Sequence, residues 1–232
     1  MGERPGMTAG SPGIDYERLY AYRFRDTEQG ARTAVWRPIA EFIHRAMGEP
    51  RRVLDPAAGR GEFISAVPAE ERWAVDRVAH VASAPAQGFR MLIGDAMEVE
   101  LPSDHFDGIF VSNFLEHLPT QEAIGSFLAR MLSATRPGGR IAIMGPNYRY
   151  CSDVYWDFAD HVIALTHRAV EEHVYAAGFS PVRTIPRLLP YSFTGSLPAS
   201  ARLTAAYLRM PLAWRLFGKQ FLVIGERPGA AS

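Results

Sequence analysis

The stretch VLDPAAGRGEF, residues 53 to 63, decides the fold because it has the pattern of a strand, a tight turn and the start of a helix. Apolar residues run into Asp55, and the turn that follows consists almost wholly of small residues. Gly59 and Gly61 allow the backbone to turn sharply and to approach a ligand without an intervening side chain. A strand–turn–helix unit of this kind directs free backbone N–H groups at the space beyond the strand. The stretch therefore predicts a small-molecule site at the carboxyl end of a parallel strand.

The composition predicts a single soluble, cytoplasmic domain. The chain has 232 residues, and its 25 basic residues balance its 25 acidic ones, so the charge gives no sign of a nucleic-acid partner. One cysteine, Cys151, cannot form an internal disulfide, which is typical of a reducing compartment. No apolar run approaches the length of about 18 residues that indicates a membrane span. Residues 1–13 are predicted to be a flexible leader and residues 229–232 a tail.

Strands and helices alternate between residues 14 and 228. Short apolar runs bounded by turn residues predict seven strands, in the segments RRVLDP, RWAVDRV, FRMLIGDA, FDGIFVSN, RIAIMG, FSPVRTI and KQFLVIGER. Helical spacing places Trp36 and Met47 on one apolar face, and Thr120 and Thr166 are predicted to cap two later helices. RPGG, residues 136–139, is predicted to break the chain between a helix and the fifth strand. This alternation predicts an α/β fold with a mainly parallel sheet.

Polar residues end four successive strands: Asp55, Asp76, Asp95 and Asn113. In a doubly wound sheet these ends line one crevice. A carboxylate on the second strand can accept both hydroxyls of a ribose. One on the third strand can accept the amine of adenine, while the N–H of Ala96 meets a ring nitrogen. The competing interpretation is that acids cluster where loops begin and solvation is easy, but four in order favour a nucleoside site.

The order of these motifs resembles the class I S-adenosylmethionine-dependent methyltransferases over roughly residues 35 to 227. The family pattern of an acidic residue followed by alternating glycines corresponds to residues 55–61, with Ala57 in place of the first glycine. The segments FDGIFVSNFLEHL and LSATRPGGRIAIMGPN are also similar to the family. The resemblance implies a doubly wound, mainly parallel, seven-stranded Rossmann-like sheet with an antiparallel last strand.

The resemblance also implies a cofactor, S-adenosylmethionine, and a role for each position. Asp55, Ala57, Gly59 and Gly61 would face its methionine portion. Asp76 would hold the ribose hydroxyls and Arg77 would lie beside the adenine. Asp95 and Ala96 would bind the adenine edge, and the backbone carbonyl of Asn113 would meet the methionine ammonium.

Two other chemistries fit less well. A nicotinamide-dependent dehydrogenase needs Gly-x-Gly-x-x-Gly, but counting from Gly59 the third glycine position holds Ile64. Ubiquinone-type O-methyltransferases resemble the EHLP segment and can bind a metal through its acid and histidine with a further carboxylate. That carboxylate would fall at Asn113, so the sequence predicts no metal.

Methyl transfer from a sulfonium needs a base only when the acceptor must lose a proton. Candidates flank the predicted crevice, and histidine has the best intrinsic pKa for the task, so His117 and His161 are predicted to be catalytic. In the alternative interpretation both histidines are structural. Other candidates are Tyr148, Tyr150, Asp157 and Asp160.

The two flanking segments are predicted to select the acceptor. Residues 14–48 contain YERLYAYRFRD, whose arginines, including Arg23, could close over the cofactor as a lid or could belong to an ordinary helix at the sheet edge. The insertion 186–218 could cover the site, pair two subunits as a homodimer, or rest on an anionic lipid surface. The sequence thus predicts methylation of an O or N atom of a small molecule, such as a sugar or secondary metabolite. The alternative is an inactive methyltransferase-like partner subunit.

Overall fold

The computed structural model describes residues 16–23, 29–77, 88–191 and 200–229. Its strands are β1 (Arg52–Asp55), β2 (Glu71–Asp76), β3 (Arg90–Ile93), β4 (Phe106–Ser112), β5 (Thr135–Pro146), β6 (Ser180–Ile185) and β7 (Gln220–Glu226). Its helices are α1 (Tyr16–Arg23), α2 (Gln29–Ala46), α3 (Glu62–Ala66), α4 (Gln121–Ala134), α5 (Tyr148–Cys151), α6 (His167–Ala176), α7 (Ala201–Leu208) and α8 (Pro211–Phe217). The predicted leader, Phe24 and Arg25 of the predicted lid, and residues 230–232 of the tail lie outside the described residues.

One seven-stranded sheet has the strand order β3-β2-β1-β4-β5-β7-β6. Strands β1 to β5 pair in parallel, whereas β7 runs antiparallel to both of its neighbours, β5 and β6. This confirms the predicted fold. The carboxyl ends of β1 to β5 meet at one edge, and the strand order reverses between β1 and β4, which is where open α/β sheets bind ligands.

Helices cover both faces of the sheet. Ile39 of α2, Ile64 of α3 and Trp214 of α8 are buried in one hydrophobic core. Phe127 of α4 and Val170 of α6 are buried in the other. Because the apolar stripe of α2 lies in the first core, α2 is a core helix. Both predicted caps are confirmed, since Thr120 and Thr166 accept hydrogen bonds from the backbone N–H groups of Ala123 and Ala169.

The RPGG segment was predicted to separate a helix from the fifth strand, and only part of this prediction is confirmed. Helix α4 ends at Ala134, as predicted, but β5 already begins at Thr135 and includes residues 136–139. The pairing between β4 and β5 is irregular here, and Gly138 has a φ of 73°. Gly138 and Gly139 exchange backbone hydrogen bonds with Arg227, just beyond β7. These bonds to Arg227 therefore hold Gly138 and Gly139 at the end of the sheet despite their turn-forming character.

The described helices include none with the length and apolarity needed to cross a membrane.

Candidate active site

The loop after β1 brings the backbone close to open space. Gly59 and Gly61 have φ values of 55° and 74°, in the left-handed region that favours glycine. A Cβ atom at Gly59 would meet nothing within 4 Å. Ala57 is not among the described residues with positive φ, so its methyl group does not strain the loop.

Three N–H groups of this loop, which the sequence predicted to be free, are bonded within the protein. The N–H of Ala58 donates to Val75 O at 3.0 Å, and the N–H of Gly61 donates to Ala58 O at 2.7 Å. Gly59 N–H donates to the carboxylate of Asp76 at 2.7 Å. The loop folds back onto the end of β2, and these bonds occupy three of the donors that a phosphate group could use.

Asp55 and Asp76 lie at neighbouring strand ends. Asp55 is buried, and burial raises the pKa of its carboxyl to about 8, while the N–H of Ala57 opposes the shift by donating to it at 3.3 Å. The charge of Asp76 adds to the increase. A carboxyl with such a pKa holds a proton at neutral pH. A cationic ligand bound beside it would favour release of that proton.

Asp95 follows β3 and holds Arg77 in place. Arg77 Nη2 lies 2.5 Å from one carboxylate oxygen, and the N–H of Met97 donates to the other at 2.8 Å. Burial alone would raise the pKa of Asp95, but these two donors outweigh it and lower the pKa. Ala96, next in the chain, is buried.

Asn113 follows β4 in the left-handed conformation, with a φ of 47°. Its N–H donates to Met144 O at 2.9 Å and its side-chain amide to Ser112 Oγ at 3.0 Å. These bonds fix the turn that leads into the 3-10 helix Leu115–His117.

The structure brings the two predicted catalytic histidines together. Their ring centres are 5.1 Å apart. His117 comes from the 3-10 helix after β4, and His161 from the segment after β5. The N–H groups of Val162 and Ile163 donate to Glu116 O at 2.9 and 3.3 Å, which ties the two segments together.

We define the polar cluster as Glu116, His117, Asp160, His161 and Tyr191. Four of its side-chain atoms are buried without a hydrogen-bond partner among the described residues: Glu116 Oε1, Asp160 Oδ2, His161 Nδ1 and Tyr191 Oη. Burial raises the pKa values of Glu116 and Tyr191, and it lowers the pKa of His161 to about 4. At neutral pH His161 is therefore uncharged. Buried polar atoms without partners are costly, so such a concentration is typical of a ligand site.

Arg23 of α1 reaches this cluster. It forms an ion pair with Asp160, and its guanidinium carbon lies 4.8 Å from the centre of the Phe158 ring. Burial would raise the pKa of Asp160, but Arg23 and His117 outweigh it and lower the pKa.

Solved methyltransferase structures share this fold. A protein from Archaeoglobus fulgidus has 21% identity and a TM-score of 0.62, with 92% of this chain and 100% of that chain covered. The 1,6-didemethyltoxoflavin-N1-methyltransferase of Burkholderia thailandensis, with bound 1,6-didemethyltoxoflavin and S-adenosylhomocysteine, has 22% identity and a TM-score of 0.56, covering 94% and 93%. A Haloferax volcanii methyltransferase in complex with the Trm112 activator has 15% identity and a TM-score of 0.64, covering 93% and 98%.

No curated protein matches the chain significantly. Residues 54–143, from β1 into β5, match the family model described as a methyltransferase domain. Residues 54–143 are thus similar to a methyltransferase domain, and the complete sheet has the fold of solved S-adenosylmethionine-dependent methyltransferases. The solved structures with this fold include S-adenosylmethionine-dependent enzymes, one of them with S-adenosylhomocysteine bound.

The residues at the strand ends suit this cofactor. Open space faces Gly59, Asp55 offers a carboxyl group at the end of β1, and the carboxylates of Asp76 and Asp95 offer acceptors for hydroxyl and amine groups. The cofactor has no pyrophosphate, so a loop whose N–H groups are already bonded is no obstacle to it.

The protein also has a group of potential metal ligands. Glu116, His117 and His161 each offer one ligand atom, and these atoms lie within 4.8 Å of one another. The sequence placed the third ligand position at Asn113. It did not indicate His161, which is 44 positions beyond His117 in the chain.

The opposite edge of the sheet has a groove of about 300 Å³ lined by Pro50, Asp107, Arg136 and Arg140, among others. Arg136 pairs with Asp107, and Arg140 pairs with Glu226 at 2.8 Å. These pairs join strands to one another, so we interpret the groove as structural.

Sequence reasoning missed Tyr191 and the link between Asp160 and His117. His117 Nδ1 lies 2.8 Å from the backbone oxygen of Asp160. No local sequence pattern indicates either feature, because each depends on segments that are far apart in the chain.

Proposed function

We propose that the protein methylates an O or N atom of a small molecule bound at the polar cluster. The observation that carries this proposal is the set of four buried, unpartnered polar atoms near the carboxyl ends of β4 and β5. A small polar acceptor, such as a sugar or a secondary metabolite, would supply their missing hydrogen bonds. The Burkholderia thailandensis structure, which holds a small molecule and acts on a nitrogen, supports this class of acceptor. A cytoplasmic location stays a prediction.

We assign the cofactor to the ends of β1 to β4. Asp76 accepts the ribose hydroxyls, Arg77 lies beside the adenine, and Asp95 and Ala96 bind the adenine edge. The methionine portion lies against the remaining predicted residues, Asp55, Ala57, Gly59, Gly61 and the carbonyl of Asn113. S-Adenosylmethionine supplies a methyl group on a positively charged sulfur, which needs no further activation by the protein.

His117 has the geometry of a general base. A backbone carbonyl only accepts hydrogen bonds, so the 2.8 Å contact to Asp160 O requires the proton of His117 to be on Nδ1. The lone pair on Nε2 is then available to take a proton from an acceptor O–H or N–H group. Neutral His161 and Glu116 orient the acceptor through hydrogen bonds.

The Asp76→Ala variant tests the cofactor assignment. Losing two charge-assisted hydrogen bonds to the ribose should weaken S-adenosylhomocysteine binding by about 2–4 kcal/mol, measured by titration calorimetry. Asp76→Asn keeps an acceptor for Gly59 N–H, so it separates loss of the ribose bonds from collapse of the loop. Asp153→Ala, at an exposed carboxyl, is the control. Unchanged affinity in both Asp76 variants would contradict the ribose assignment.

Turnover distinguishes an enzyme from a partner subunit. We expect release of S-adenosylhomocysteine when the protein is incubated with S-adenosylmethionine and panels of phenols, sugars and amines. An inactive partner subunit would bind the cofactor but release no product with any panel. It would instead form a stable complex, as the Haloferax volcanii methyltransferase does with Trm112.

A further inference from the structure

The segment of residues 186–219 is unusual in its charge. It contains five basic residues, Arg187, Arg202, Arg209, Arg215 and Lys219, and no aspartate or glutamate. The complete chain has equal numbers of acidic and basic residues, so the remainder has an excess of acidic ones. The segment therefore has a net charge of +5, and the rest of the chain has a net charge of −5.

Two of the five basic residues have structural roles. Arg187 donates to Gly218 O at 2.7 Å and to Leu216 O at 2.9 Å, and Lys219 pairs with Asp153 at 3.6 Å. Arg202, Arg209 and Arg215 are exposed, and the ion pairs among the described residues include none of them.

Large exposed apolar side chains alternate with these arginines along α7, α8 and the turn between them. Five are more than half exposed: Leu203 55%, Met210 55%, Leu212 75%, Leu216 71% and Phe217 64%. In α8, Leu212 and Leu216 are one helical turn apart, so they lie on one side of the helix.

These side chains are exposed although the helices that carry them are firmly packed. Trp214 is buried, its ring centre lies 5.7 Å from that of Phe42, and its Nε1 donates to Tyr207 O at 2.8 Å. The hydroxyl of Tyr207 donates to Leu188 O at 2.8 Å. Helices α7 and α8 thus have one apolar side on the core and a second one facing outward.

We propose that α7 and α8 form a docking surface for anionic phospholipid membranes. Exposed leucine, methionine and phenylalanine side chains insert at the boundary between headgroups and acyl chains, while the three arginines bind lipid phosphates. The acidic excess of the remaining chain is repelled by the same lipids, so the protein binds with this side towards the membrane. The helices, of eight and seven residues, lie on the surface.

The experiment is flotation of the full chain with phosphatidylcholine vesicles, either alone or with about one third phosphatidylglycerol. We expect binding to the anionic vesicles only, and binding should weaken as salt is added because the charges are screened. Arg209→Glu/Arg215→Glu should lower the partition coefficient at least tenfold, since each arginine contributes about fivefold. Leu212→Ser/Leu216→Ser should also lower it at least tenfold.

Arg168→Glu/Arg183→Glu is the matched control, because it reverses two exposed arginines in α6 and β6. Its partition coefficient for anionic vesicles should stay within about threefold of that of the original chain. A pure net-charge effect would instead lower it as much as Arg209→Glu/Arg215→Glu does. Circular dichroism checks that every variant folds. The proposal is overturned if the original chain does not float with anionic vesicles or if the control loses binding equally. It is also overturned if Leu212→Ser/Leu216→Ser leaves flotation unchanged but dissociates a dimer in sedimentation, which would make the surface an interface between two copies.

Discussion

His117 is the residue on which the proposed chemistry depends most. His117→Ala removes the base, so kcat for an acceptor that must lose a proton should fall by about 10²–10⁴-fold. The affinity for S-adenosylhomocysteine should stay within about twofold, because the predicted cofactor residues are elsewhere at the strand ends. His173→Ala, in α6, makes the same change at a histidine outside the polar cluster and is the control. Retained kcat in His117→Ala would assign this histidine a structural role.

The same assay with a chelator tests the prediction of no metal. Arg23 places a positive charge at the polar cluster, and burial favours the protonated form of Glu116, so neither residue favours a cation there. We expect kcat to be unchanged by chelation. Loss of activity that Mn²⁺ or Zn²⁺ restores would instead assign Glu116, His117 and His161 as ligands.

Asp107 stabilises the opposite edge of the sheet. Burial would raise its pKa, but hydrogen bonds from Arg52 and Arg136 outweigh it and lower the pKa to about 2. Because the folded-state pKa is depressed, this stability is present above the unfolded pKa of about 3.9 and is lost as the pH falls towards 2. Asp107→Asn should lower the free energy of unfolding by about 1–2 kcal/mol at neutral pH in urea titrations.

The difference between Asp107→Asn and the original chain should shrink as the pH is lowered from about 4 towards 2. Asp104→Asn, at a more exposed ion pair with Arg227, should change the free energy of unfolding by less than about 0.5 kcal/mol. A difference for Asp107→Asn that does not depend on pH would contradict the proposed cause.

At the scale of elements, α1 is attached to the site through Arg23. Arg23→Gln removes the ion pair with buried Asp160, so hydrogen exchange in residues 16–23 should speed up. The KM for the acceptor should rise several-fold, because α1 no longer closes over the polar cluster. Arg37→Gln, in an exposed pair with Glu41, is the control. The sequence assigned Arg23 to the cofactor, and an equal loss of S-adenosylhomocysteine affinity would support that assignment instead.

At the scale of the whole molecule, cofactor binding should stabilise the fold. At about 100 times its Kd, S-adenosylhomocysteine should add about 2.7 kcal/mol to the free energy of unfolding and raise Tm by about 5–10 °C. NAD and NADP should not raise Tm, since the N–H groups of Ala58, Gly59 and Gly61 in the loop after β1 are already bonded within the protein. A shift with a dinucleotide alone would contradict the cofactor assignment.

The sequence by itself determined the elements and their order. A local pattern reveals the apolar periodicity, the helix caps Thr120 and Thr166, and the acids at strand ends. Each of these depends only on residues that are close together in the chain. It also indicated the seven-stranded fold and the strand ends as the site, because parallel strands must place their carboxyl ends along one edge.

Only the tertiary structure decided what those residues contact. The bond from Gly59 to Asp76, the pairing of His117 with Asp160 and the burial of Tyr191 all join segments that are distant in the chain. RPGG likewise lies in β5, with Gly138 and Gly139 bonded to Arg227 beyond β7, although its own residues favour a turn. Local preferences are weak beside such packing and hydrogen bonds, which depend on the arrangement of the complete chain.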